Sequence, residues 1–369
     1  MTASEQELAE LRAAIRKFLQ TRLPESSLSD IADGAAPSSN LWPELHAALG
    51  IHSLAIPERF GGDGADLSVL SVVFEELARA LAPVPYFSSF IAAQALLLSR
   101  DDDQCQRLLP LFASGEQRAT IAIAERDGSW DAATITTRAV QHPDGRWTLH
   151  GVKNWVPDAV GANVILVLGR TTAGPTLFSI DPAADGVSVK PMQVIDQTRP
   201  LATLALQDAT ATLVGREGAG GRLLSELLDV TALALCCEQV GIAQRCLEIS
   251  VEYAKVRTQF GRPIGSFQAV KHLCAEMLAQ VEMARAATEE ALHEATHSGG
   301  NAAVAAAAAH ITCSAAAMFV AKETIQVLGG IGFTWDHPAH VYFRRAASSQ
   351  LLLGGPSVSH ERLLERLGI

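Results

Sequence analysis

Apolar residues recur at helical spacing from the start of this chain, where Leu8, Leu11, Ile15 and Phe18 predict a first helix. The stretch Glu44-Leu-His-Ala-Ala-Leu predicts another, ended by Gly50. From Ile56 to Gly64 the glycines are too dense for any regular element, so a loop is expected. Helical spacing returns over Leu67–Leu81 and is interrupted at Pro83 and Pro85. After residue 118 the period shortens. Alternating stretches at 120–124, 147–152, 164–168, 176–180, 187–194 and 202–206 predict short strands, punctuated by Gly, Pro, Asp and Asn. His142-Pro-Asp-Gly-Arg has the composition of a hairpin turn. An antiparallel sheet or small barrel follows from that spacing. Beyond residue 214 the helical period resumes, with long helices expected at 221–257, 266–295, 301–328 and 338–349 and a last one near 357–367. Gly299-Gly300 separates the second from the third, and the alanine run 302–309 suits close helix packing.

This order divides the chain into an amino-terminal helical domain (1–118), a middle antiparallel β domain (119–214) and a carboxy-terminal helical bundle (215–369). The class is α+β. With 369 residues, 48% of them hydrophobic, there is ample material for such cores. The net charge of −11 argues against nucleic acid as a partner. An anionic ligand would have to be met by local arginines. The six cysteines show neither metal spacing nor a disulfide pattern, which suits a reducing cytoplasm. The mixed charges of the first twenty residues do not form a signal peptide. No apolar run is expected to reach the roughly 20 residues of a membrane span. Cys236-Cys237 lies in an apolar helical run and reads as packing. His337, His340 and His360 lack ligand partners at metal spacing, and no G-x-S-x-G follows a strand.

Two stretches carry more specific information. Arg257 precedes Gln259-Phe-Gly-Arg-Pro-Ile-Gly-Ser-Phe-Gln268, and about sixty residues later comes Gln326-Val-Leu-Gly-Gly-Ile-Gly-Phe-Thr, followed by Asp336-His-Pro-Ala-His and Tyr342-Phe-Arg-Arg. Together they resemble the carboxy-terminal signature of the FAD-dependent acyl-CoA dehydrogenase family. Ile56-Pro-Glu-Arg-Phe-Gly-Gly-Asp-Gly, Glu75-Glu-Leu-Ala-Arg-Ala-Leu-Ala-Pro and Glu238-Gln-Val-Gly-Ile-Ala-Gln extend the likeness over nearly the whole chain. The resemblance implies FAD as cofactor, with the diphosphate met across a subunit interface by Arg257, whose planar guanidinium can pair two phosphate oxygens. It implies that Gln259, Phe260 and Gln268 line the same channel. Gln326, Val327, Gly329 and Gly330 would lie against the dinucleotide, the glycines letting backbone come close. Ile123, Ala124 and Trp155 would surround the isoalloxazine. Read without the resemblance, Arg257 is a helix-end cation favoured by the dipole, Gln268 a helix-start cap, and Phe260 and Trp155 core residues.

The implied reaction is α,β-dehydrogenation of an acyl-CoA. A carboxylate takes the α-proton while the β-hydride passes to the flavin, and electrons leave through an electron-transfer flavoprotein or similar acceptor. Here the pattern breaks. Gly354 stands where the family usually has its glutamate, and Gly355 follows. Thr231 occupies the alternative base position on the first carboxy-terminal helix. Asp229 and Glu238 remain weak candidates: Asp229, like Glu226, lies about half a turn or more off the required face, and Glu238 reads as a structural helix acid. Ala124 and Pro157 replace two threonines that hydrogen-bond the flavin, and Pro157 has no N–H to give. A homo- or hetero-oligomer with another acyl-CoA dehydrogenase chain is implied, and three readings follow: one subunit of a heteromeric acyl-CoA dehydrogenase, resembling those that act on steroid CoA esters in bacteria; a self-sufficient dehydrogenase with a displaced base; or a flavin monooxygenase on the same fold.

Overall fold

The computed structural model describes residues 3–34, 40–297 and 300–369. The first third is helical: α1 (Glu5–Arg22), α2 (Ser27–Ala32), α3 (Leu41–Leu49), α4 (Leu67–Arg79), α5 (Tyr86–Ser99) and α6 (Asp102–Ala113). Ser4 and Glu7 form a reciprocal capping box at the start of α1. Asp66 accepts from the Ser68 and Val69 amides to start α4. Gly50 ends α3 with φ +60°, as its position predicts. In the loop after α3 a Cβ on Gly62 would stand 2.0 Å from the Ile56 carbonyl oxygen, so this turn closes only around glycine.

Seven strands follow: β1 (Ala119–Ala122), β2 (Arg138–Gln141), β3 (Trp147–Pro157), β4 (Val164–Thr171), β5 (Gly174–Ile180), β6 (Val187–Pro191) and β7 (Leu201–Val214). They run β1-β4-β2-β3-β7-β5, with β6 beside β7 and β4 also paired to β5, so the sheet closes on itself. The expected turn at His142 joins β2 to β3, with the His142 amide donating to the Arg146 carbonyl at 2.8 Å. The sheet is mixed, which corrects the antiparallel expectation: β4 is parallel to both β1 and β2. All four residues of β1 are buried, and a short, wholly apolar strand carries no alternation that would reveal its partner. Strand β3 continues five residues past the stretch that alternates, because two register shifts break its period.

The last third holds α7 (Gly220–Val256), the small hairpin β8 (Thr258–Gln259) and β9 (Arg262–Pro263), α8 (Gln268–His297), α9 (Ala302–Leu328), α10 (Ala339–Leu351) and α11 (Gly355–Leu367). Gly300 lies between α8 and α9 with φ +67°, and Gly299 lies outside the described residues. Cys236 and Cys237 are buried in α7. Helix α9 is, by length and composition, apolar enough to cross a membrane, contrary to expectation. It packs against α7, α8, α10 and α11 and buries the polar His310, Ser314 and Thr324. The first helices, the sheet and α7 share one core, which includes Phe74, Phe90, Ile121, Leu166, Leu227 and Leu353. Where α4 crosses α7, a Cβ on Gly241 would meet the Glu75 carbonyl oxygen at 2.2 Å.

Candidate functional site

Helices α7 and α9 run side by side in the same direction, since Ser250 Oγ meets Thr324 Oγ1 at 3.0 Å and Cys236 lies beside Cys313. Their carboxy-terminal ends therefore share one end of the bundle. Arg257 caps α7, its amide donating to the Tyr253 carbonyl at 2.9 Å and its side chain exposed. The β8–β9 hairpin follows, closed by the Ile264 amide on the Arg257 carbonyl at 2.8 Å. At its tip Phe260 holds φ +51° and is 92% exposed. An aromatic side chain in the left-handed region and in water is disfavoured twice over, so Phe260 is not the core residue its composition suggests. Gln259 and Gln268 are exposed beside it.

At the end of α9, Gln326 is exposed and lines a groove of about 840 Å³ with Ile195, Ile325, Phe333, Trp335 and Phe343. Val327 is buried instead, so only its backbone can face a ligand. Gly329 and Gly330 are exposed, with no atom within 4 Å of where a Cβ would stand. An exposed guanidinium, three amide side chains, an aromatic ring and open glycine backbone at one end of the bundle suit a diphosphate and its nucleoside.

The second half of the candidate site lies on the sheet. Ile123 and Ala124 are buried just beyond β1, and the Ala124 carbonyl accepts from the Asn154 amide at 2.9 Å. Trp155 sits at the second register shift of β3 with φ +53°. Its indole lies 3.6 Å from where a Cβ on Gly128 would stand, so the ring covers the loop after β1. Pro157 pairs with Leu201, and its carbonyl accepts from Thr120 Oγ1 at 2.6 Å. Neither Ala124 nor Pro157 offers a hydroxyl. On the groups it presents the nucleotide half of the candidate site suits a flavin dinucleotide, while the half on the sheet has Trp155 over the loop after β1 and no hydroxyl at Ala124 or Pro157.

Beneath this half lies a pair that the sequence reading did not single out. Lys153 is fully buried, and its Nζ donates to Glu125 Oε1 at 2.8 Å and to the Ile123 carbonyl at 3.0 Å. Burial lowers the Lys153 ammonium to about 8 against the pull of Glu125. Burial works the other way on Glu125, but Lys153 and the Thr136 and Thr137 hydroxyls outweigh it and hold the carboxyl at about 2. The pair ties the loop after β1 to β3. A lysine within a strand otherwise rich in inward apolar residues was the available signal.

The position where the resemblance puts the base is crowded. Gly354 has φ +101° and is the first residue of the turn into α11. A Cβ there would lie 3.0 Å from Val358 Cγ2 and 3.1 Å from its Cβ and Cγ1. Gly355 is buried, and Leu352 and Leu353 belong to the shared core. Thr231 Oγ1 donates back to the Leu227 carbonyl at 2.7 Å. Asp229 accepts from Arg362 at 2.8 Å on one oxygen and from Arg366 at 2.7 Å on the other. Burial raises its carboxyl, and the two arginines oppose that. Glu226 pairs with Arg222 at 2.6 Å. Glu238 is buried and ion-paired to Arg199. The two weak base candidates are thus both engaged by arginines.

Comparison with known proteins agrees with this architecture. The acyl-CoA dehydrogenase N-terminal domain matches residues 5–116, the middle domain 120–208 and the C-terminal domain 218–368. Acyl-CoA dehydrogenase FadE34 of Mycobacterium tuberculosis is 39% identical over 84% of this chain, which spans 39% of that protein's length. Acyl-CoA dehydrogenase IpdE2 of the same organism is 33% identical over 92% of this chain and 90% of its own. Among solved structures, the steroid ACAD variant Tcur3481-Tcur3483 is 31% identical with a TM-score of 0.87, covering 98% of each chain. The ChsE4-ChsE5 complex from Mycobacterium tuberculosis is 27% identical with a TM-score of 0.89, over 100% of this chain and 98% of that one.

Proposed function

This chain belongs to the acyl-CoA dehydrogenase family, FAD-dependent oxidoreductases acting on acyl-CoA, and from that premise we propose that it serves as the base-less subunit of a heteromeric member. The observation that carries this reading is Gly354. Glycine has no proton-accepting group, its left-handed backbone resists replacement, and Val358 occupies the space beside it. Asp229 and Glu238, the alternatives, are spent on arginines. The nucleotide-facing groups, by contrast, remain exposed at the bundle end.

When bound, FAD supplies the acceptor for the β-hydride. This chain's residues have other tasks in the proposal. Arg257 pairs the diphosphate oxygens, bidentate, against the charge repulsion between them. Gly329 and Gly330 bring backbone N–H groups close where a side chain would stand in the way. Gln326, Gln259 and Gln268 orient the nucleoside, and Phe260 covers it from the hairpin. The α-proton goes to a carboxylate of the partner chain. The ACAD likeness to Tcur3481-Tcur3483 and to the ChsE4-ChsE5 complex supports a two-chain assembly and a steroid-derived acyl-CoA as substrate. An electron-transfer flavoprotein or similar acceptor completes the cycle.

The test is purification of the chain alone and together with a second dehydrogenase-like chain, counting FAD per chain and measuring acyl-CoA-dependent acceptor reduction. Activity and full flavin only in the two-chain form are expected. A yellow homo-oligomer of this chain that reduces an acceptor would overturn the proposal.

A further inference from the structure

Five ionisable side chains meet where the helical domain, the sheet and the bundle join. Arg199, between β6 and β7, donates to Glu238 of α7 and to Ser349 Oγ of α10 at 3.3 Å, and its guanidinium lies 4.5 Å from the ring centroid of Phe87 on α5. Arg345 of α10 pairs with Asp196 at 2.9 Å and donates to the Thr198 carbonyl at 2.8 Å. These are two cations matched by two anions. Asp158 is the unmatched acid. It stands one residue beyond β3 with φ +50°, and its amide donates to the Pro200 carbonyl at 2.9 Å. Its carboxylate accepts from Ser88 Oγ of α5 at 2.7 Å.

Asp158, Arg199, Glu238 and Arg345 line one cavity of about 20 Å³. Such a volume holds about one water molecule. Tyr86 of α5 lines it too, and its hydroxyl is buried with no partner. Burial pushes the Asp158 carboxyl up to about 6, although Ser88, Arg199 and Arg345 favour the charged form; Glu238 adds to the rise. With Asp158 ionised the junction holds three negative charges against two positive ones, four of them buried and Asp158 half-buried. With it protonated the charges balance, and the new O–H can donate within a cavity whose other polar lining includes an unpartnered hydroxyl.

We infer that Asp158 is the proton-binding member of a latch that fastens the end of β3 to α5 and to the bundle, closed when protonated and loosened when ionised. Strand β3 carries Trp155 and Pro157, so the latch governs how firmly that edge of the candidate flavin cradle is held. The inference stands on the junction's own geometry and survives failure of the two-subunit proposal.

The sign follows from linkage. The folded-state value lies above the unfolded one of 3.8, so the stabilisation is complete below that value and is lost as pH rises through about 6. The experiment compares the full chain with D158N and S88A by urea unfolding and by hydrogen exchange of the residue-158 amide, from pH 4 to 8. The folded-to-unfolded ratio of D158N should match wild type at pH 4 and exceed it by about a hundredfold above pH 7. After correction for intrinsic exchange, opening at residue 158 should increase through pH 6 in wild type and stay flat in D158N. S88A removes a donor that favours the carboxylate, so its inflection should move to higher pH. Parallel stability curves for wild type and D158N, or an unmoved inflection in S88A, would overturn the latch; the S88A arm suffices if D158N does not fold.

Discussion

Restoring the missing glutamate by Gly354→Glu is the most direct test of why this chain lacks a base. Two costs can be worked from the structure. The backbone at φ +101°, ψ −1° lies outside the regions an L-residue populates readily, which costs about 1–3 kcal/mol. The new Cβ would stand 3.0–3.1 Å from three atoms of Val358. Valine on a helix has essentially one side-chain rotamer, so relief requires backbone movement, and overpacking of this kind adds about 1 kcal/mol or more. Together they predict a loss of roughly 2–4 kcal/mol, or a Tm lower by roughly 5–15 °C for a chain built of domains this size. The assay uses this chain alone with added FAD and pairs calorimetry with anaerobic bleaching of the flavin by acyl-CoA. G354E should melt earlier and leave the flavin oxidised. The double variant G354E/V358A should recover the steric part alone, about 1 kcal/mol, because the backbone strain persists. A G354E chain that keeps its Tm and bleaches its flavin at an enzymatic rate would refute the reasoning: the position would then be open, and only the residue type missing.

Three further outcomes are expected. Arg257→Ala should weaken FAD retention at least tenfold, since a charge-assisted hydrogen bond contributes about 1.5–3 kcal/mol; unchanged flavin content after gel filtration would remove its assigned role. Glu125→Gln leaves the buried Lys153 unpaired and should cost about 3–5 kcal/mol in a circular-dichroism melt. Because Glu125 is held at about 2, below its ordinary 4.5, its stabilisation is present above pH 4.5 and lost as pH falls toward 2, so the variant should flatten that acid limb. Gly241→Ala drives a methyl group into the Glu75 carbonyl and should destabilise by about 1–3 kcal/mol or more, detected as a lower urea midpoint; an unchanged midpoint would mean α4 and α7 separate freely.

Much of the fold was legible because helices leave a regular imprint. The spacing that predicted 221–257 and 301–328 reappears as α7 and α9 almost to the residue, since each must keep one apolar face on its neighbours over many turns. Strands left less. Strand β2 buries only Ala139 of its four residues, too little alternation to register. The tail of β3 was invisible because its register shifts turn Lys153 inward and give Trp155 a left-handed backbone. The alanine-rich α9 passed unnoticed as a long apolar segment because His310, Thr312 and Ser314 interrupt it.

The chemistry of the site was legible where neighbours in sequence are neighbours in space, as in the hairpin from Arg257 to Pro263. It was illegible for the acids. Whether a carboxylate can act as a base depends on its lone pairs, and those are claimed here by residues far along the chain. Arg199 reaches Glu238 across 39 positions, and Arg362 and Arg366 reach Asp229 across 133 and 137. Seen on its helix, each acid looks available. To serve as a base, Glu238 would have to leave the buried Arg199 without its counter-charge, a penalty of several kcal/mol added to the barrier, whereas Asp229 would have to give up two arginines that solvent partly reaches. The same argument explains why the missing glutamate is not compensated locally. Every acid along this stretch of α7, from Glu226 to Glu238, is paired with an arginine in the present arrangement. On the two-subunit proposal, the proton acceptor is therefore a carboxylate of the partner chain rather than one of these three acids.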